Sequence, residues 1–113
     1  MFPGNAKMES SRQLKNIGVA IAPMLVASVC EIRVVAEVHD DWLESRYDIV
    51  DNGKLREGVE TDRKVHRSVN DALSALRCDM LKEGQEDWHH CSYVLRSDGT
   101  FEMEFDRSRP PSA

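Results

Sequence analysis

The stretch WHHCSYVLRSDGTFEMEFD, residues 88–106, decides the fold. Two runs with alternating apolar and polar residues, Trp88–Arg96 and Thr100–Arg107, flank Ser97-Asp98-Gly99-Thr100. Asp-Gly accepts the positive φ angles of a tight turn, so the spacing predicts a hairpin turning at Asp98-Gly99. A two-residue turn sets Phe101 opposite Arg96, Met103 opposite Val94 and Phe105 opposite Ser92, a face shared with Trp88 and expected to meet the core. Glu102, Glu104 and Asp106 then fall on the other face, beside Leu95, Tyr93 and Cys91.

Upstream, Val65, Val69, Leu73, Leu76 and Met80 recur at helical spacing, with Ala72 beside them. This predicts a helix over about residues 62–83, capped by Thr61 and stopped at Gly84. Val29–Val38 is rich in β-branched residues and reads as a strand, with Ile32, Val34, Ala36 and Val38 on one side. Trp42–Val50 reads as a second strand, with Leu43, Tyr47 and Ile49 on one face. Asp51-Asn52-Gly53-Lys54 is a turn signal, from which a short strand over about Leu55–Val59 returns. Leu14, Ile17, Gly18 and Ile21 lie on one face of a first helix, about residues 9–22, ended by Pro23.

The order is α, β, β, short β, α, β, β. The expected fold is α+β: an antiparallel sheet of four to five strands, two helices on one face, and the other face partly open. At 113 residues the chain is read as one domain, 1–113, ordered over about 9–107, with loose ends at 1–8 and 108–113.

The net charge of −5 is unevenly spread. Glu37–Asp51 holds six acids and one base, and Glu83–Asp106 holds seven acids and one base. A nucleic-acid-binding domain shows the opposite, a basic stripe, so nucleic acid is not an expected partner. Acid gathered in this way attracts basic partners. Three widely spaced cysteines, Cys30, Cys78 and Cys91, argue for a reducing compartment. Met1–Lys7 lacks the apolar run of a signal peptide, and Ile17–Val29, broken by Pro23, is too short to span a bilayer. A cytoplasmic protein without membrane attachment is expected.

No motif points to catalysis. In a strand, His89-His90-Cys91 sends two potential ligands to one face, and zinc needs three or four. A Cys91–His89 nucleophile pair has no third orienting group. Glu102, Glu104 and Asp106 form an even stripe, whereas acid–base chemistry needs carboxylates in unlike environments within a cleft. No GxGxxG or GxxxxGK[ST] is present, so no nucleotide cofactor is expected. The expected absences are therefore catalytic, cofactor and metal sites. The candidate binding residues are Glu102, Glu104, Asp106 and Tyr93, with Asp40, Asp41, Glu44 and Asp48 of the first acidic region.

The run Gly84-Gln85-Glu86-x-Trp88, then Tyr93-x-Leu95, Ser97-Asp98-Gly99-x-Phe101 and Phe105-Asp106, resembles the YezG-like immunity proteins of bacterial polymorphic toxin systems. The likeness is specific over 84–106. By layout it extends over about 10–107, with Ala22-Pro23, Ala36-Glu37-Val38 and the long helix in the family's order. The family pattern often ends Phe-Asp-Tyr, where this chain reads Phe105-Asp106-Arg107. The resemblance implies an antitoxin that binds and neutralises a cognate protein toxin, frequently a nuclease. Basic nuclease surfaces and acidic sheet faces are complementary. The alternative is a secretion adaptor or chaperone that binds its partner through the open sheet face.

Overall fold

A computed structural model describes residues 8–106. The expected loose ends, Met8 apart, lie outside the described residues. The elements are α1 (Met8–Ile21), one 3₁₀ turn (Ala22–Met24), β1 (Val29–Val38), β2 (Leu43–Asp51), β3 (Lys54–Arg56), α2 (Arg63–Lys82), β4 (His90–Arg96) and β5 (Phe101–Asp106). The strands form one antiparallel sheet in the order β3-β2-β1-β4-β5, which makes the protein α+β as its sequence predicts. The two hairpins meet at β1, which pairs with β2 on one side and β4 on the other.

Both helices lie on one face. Leu14, Ile17 and Ile21 of α1 and Val69, Leu73, Leu76 and Met80 of α2 bury against Ile32, Val34, Ala36 and Val38 of β1. Each large aliphatic side chain so buried stabilises the fold by roughly 1.5–3 kcal/mol. Pro23 stands in the first turn of the 3₁₀ segment and halts α1 where expected. Asn52 and Gly53 take φ of 51° and 76° in the two-residue turn between β2 and β3. The return strand is shorter than expected. After Arg56 the chain leaves the ladder, and the Gly58 N–H donates to the Asp48 carboxylate at 3.0 Å. The cap of α2 is Asp62 rather than Thr61: its side chain accepts from the Lys64 N–H at 2.7 Å.

The last hairpin corrects the register read from its turn. The loop has three residues, Ser97, Asp98 and Gly99. The Gly99 N–H donates to Arg96 O and the Arg96 N–H to Thr100 O, both at 2.9 Å. Gly99, at φ 88°, supplies the left-handed residue that such loops need. Asp98 locks the turn by accepting from the Thr100 N–H and hydroxyl. Phe101 therefore faces Leu95, Met103 faces Tyr93 and Phe105 faces Cys91. A one-residue slip exchanges the faces of β4, so Cys91, Tyr93 and Leu95 point into the core. Trp88 precedes β4 and is buried at 2% exposure, with its ring tilted on Phe105 at 4.7 Å.

Tyr93 is consequently a core residue, and the expectation that it helps bind a partner is overturned. It is 1% exposed, and its hydroxyl donates to Leu14 O of α1 at 3.1 Å. Burial pushes its phenol up to about 12, so it remains a neutral donor. Gly18 makes this approach possible: a Cβ there would stand 2.7 Å from Tyr93 Oη but 3.8 Å from the next ring atom. Two magnitudes compete when Gly18 becomes Ala. Helix propensity gains about 1 kcal/mol, and overpacking costs about 1–3 kcal/mol. Gly18→Ala should therefore destabilise the wild type and stabilise the Tyr93→Phe variant, where the obstructing oxygen is gone. Urea unfolding of the four proteins in this double-mutant cycle checks it; the same sign in both backgrounds refutes the contact.

Candidate functional site on the uncovered sheet face

Because both helices take one face, the other face of the sheet carries, among the described residues, only side chains of its own strands. Register places them in rows. Glu104, Ser92, Val35 and Arg46 lie side by side across β5, β4, β1 and β2. On one side of that row lie Glu102, Val94, Arg33 and Asp48; on the other lie Asp106, His90, Glu37 and Glu44. Val35 lines three adjoining shallow depressions, with Ser92 in two of them, so the middle of the face is a small-residue floor between acidic borders. With Glu31 and Arg96 added, seven carboxylates and three guanidiniums belong to this face.

The arginines are engaged. Arg33 pairs with Glu31 at 3.1 Å, and Arg46 donates twice to Asp48 at 3.1 Å. Arg96 bonds Glu102 at 2.8 Å, which holds the Glu102 carboxyl below its ordinary range. Glu44 and Glu104 are exposed and make no ion pair among the described residues, so they carry uncompensated charge on opposite borders. Three strand spacings, about 14 Å, separate those borders.

The structure thus sorts the sequence candidates. Glu44, Glu102, Glu104 and Asp106 share the open face. Asp48 points to that face but is 3% exposed, covered by Arg46 and bonded to the Gly58 N–H. It ties down the segment after β3 and is withdrawn from the binding surface, which corrects its expected role. Asp40 and Asp41 sit beyond the sheet, in the β1–β2 connection.

Asp40 belongs to a cluster that sequence reasoning missed. Arg77 of α2, itself buried, bonds Asp40 through one nitrogen and forks onto Asp87 at 3.0 and 3.1 Å. Its Nε also donates to Trp88 O at 3.2 Å. Burial opposes the charge of Arg77, and the bonds from Asp87 and Asp40 outweigh it, so its pKa lies above the ordinary value. Beside this clasp the rings of Trp42, His39 and His89 stack at 4.2 and 4.4 Å, and His39 Nε2 lies 2.7 Å from Glu37. The available signal was Arg77 itself, a charge four residues after Leu73 and three before Met80 in the apolar stripe.

Among the described residues no group of three or more His, Cys, Asp or Glu could hold a metal ion. Cys91 is buried, and burial pushes its thiol up to about 12, the reverse of what an attacking thiolate needs. His90 lies on the open face and Cys91 on the core face. No described helix is long and apolar enough to cross a membrane. No protein-family model matches the sequence, and no curated protein matches it.

The Arg77 clasp should be visible in acid. Its bonds, with help from the Trp88 N–H, hold the Asp87 carboxyl below its ordinary 3.8. A carboxyl held low in the folded state contributes stability above its unfolded pKa and loses it as pH falls through the folded value. Asp87 is nearly half exposed, so the contribution is small, about 1 kcal/mol. Asp87→Asn should be less stable at pH 7 and should lose less stability than wild type between about pH 5 and pH 2. Denaturant unfolding across that range checks it; parallel pH profiles would show that the clasp carries no linkage.

Proposed function

We propose that this chain is an immunity protein that binds a cognate bacterial toxin through the open sheet face and neutralises it. The observation that carries the reading is that face: left open by the described residues, small-residue at its centre, with Glu44 and Glu104 on its two borders in no ion pair among the described residues. A surface of this kind complements a basic one, as a nuclease presents to its substrate, and favours encounter with it over other proteins. The likeness of residues 84–106 to YezG-like immunity proteins supports the same reading. No catalytic role is proposed for any residue.

The test reverses the two unpaired charges. Exposed, unpaired side chains contribute little to folding, so Glu44→Lys with Glu104→Lys should change stability by no more than about 0.5 kcal/mol. Association with the cognate toxin should slow about tenfold at low salt. The defect should shrink as salt rises, since the screening length falls from roughly 30 Å at 0.01 M to roughly 10 Å at 0.1 M and long-range attraction fades with it. Stopped-flow kinetics at two ionic strengths measure this. Wild-type association at both would move the contact off the face. A toxin that stays active while bound would favour the adaptor or chaperone reading.

A further inference from the structure

We propose that the basic partner is gripped by strand addition: an extended segment alternating Lys or Arg with apolar residues pairs with the outer edge of β5, which no other described strand occupies. The inference rests on the reading of a basic partner and adds the backbone geometry by which it is held.

The sheet ends at β5 on one side and β3 on the other. β3 has only three residues, two of them Lys54 and Arg56, a short and charged edge of the kind that discourages pairing. β5 has six residues and neither Pro nor Lys. The Arg96 N–H bond to Thr100 O fixes the phase of the β4–β5 ladder. Glu102 and Glu104 are then the residues bonded to β4, and the N–H and C=O groups of Phe101 and Met103 point away from the sheet.

The two rows of β5 define what can be added. Glu102 and Glu104 line the open face, while Phe101 and Met103 line the other. Phe101 is 45% exposed although it stacks on buried Tyr93 at 5.5 Å, so the apolar layer of the core continues to the edge without full cover. A strand laid beside β5 also alternates. One set of its side chains meets the carboxylates and the other meets Phe101 and Met103, with main-chain bonds between. A second copy of this chain fits poorly. Symmetric antiparallel pairing opposes like charges in either central register, Glu102 to Glu104 about Met103, or Glu104 to itself and Glu102 to Asp106 about Glu104.

The probe is a capped synthetic peptide of about ten residues, a strand's length, alternating Lys and Val. Controls are the same composition in two blocks and an alternating Glu–Val peptide. The alternating Lys–Val peptide should slow hydrogen exchange at the Phe101 and Met103 amides about tenfold or more at saturation, as new main-chain bonds require, and change Glu102 and Glu104 little. Met103→Pro removes one outward N–H while leaving the β4 ladder donors in place, and should weaken binding about tenfold. Should that variant unfold, amide protection in the wild type decides alone. Equal binding by the block peptide, binding without protection at Phe101 and Met103, or no binding overturns the proposal. So does a peptide-free dimer with those amides already protected. Peptide pairing at β5 in a protein that ignores its toxin would sink the immunity reading and leave the edge site standing. A toxin bound without edge protection would do the reverse.

Discussion

Every other strand reaches the sheet through β1. Its ten residues alternate between a row that must be dry, Ile32, Val34, Ala36 and Val38, and a row that need not be, Glu31, Arg33, Val35 and Glu37. That alternation leaves no freedom of register, because a slip of one residue would set arginine and glutamate against the helices. Once β1 is fixed, β2 and β4 are fixed on either side of it. Both helices cover one face, and among the described residues none covers the other. The open face is therefore a consequence of how β1 divides its side chains.

Arg77 links the two halves that meet at β1. It reaches from α2 to Asp40 in the β1–β2 connection and to Asp87 and Trp88 just ahead of β4. A guanidinium suits the task because its planar fork can serve several acceptors at once, which an ammonium on a flexible stem does poorly. The core beside it is apolar, so the bonds supply direction more than net energy; a buried ion is offset by its own desolvation. Ser45, Asn70, His66 and Tyr47 do similar work between α2 and β2 through a chain of bonds of 3.0 to 3.1 Å.

The periodic features were legible in the sequence. The span of β1 follows from the sequence to the residue, and α2, α1 and the Asn52-Gly53 turn within a residue or so, because apolar period and turn chemistry act locally. What failed turned on alternatives of nearly equal local energy. Ser97-Asp98-Gly99-Thr100 suits a two-residue or a three-residue loop. The choice fell to whichever register buried Tyr93 beside Gly18, a contact 75 residues away in sequence. The same slip moved Tyr93 out of the candidate site. Asp48 reads as a surface acid because nothing near it in sequence announces Gly58 as its partner, and the bond from Arg77 to Asp40, which is itself exposed, is equally unannounced. Glu44, Glu102, Glu104 and Asp106 needed only strand alternation, and the structure sets them together on the open face.

The protein's two indoles stand in very different places. Trp88 is 2% exposed in the core, and Trp42 is 38% exposed at the end of the sheet, stacked on His39. Their fluorescence should differ accordingly. Trp88 emits at short wavelength from a dry site and responds to loss of the core. Trp42 emits toward the red and responds to whatever touches the β1–β2 connection. One excitation wavelength therefore interrogates two separate events, folding and local contact, and each tryptophan can be silenced by phenylalanine to isolate the other.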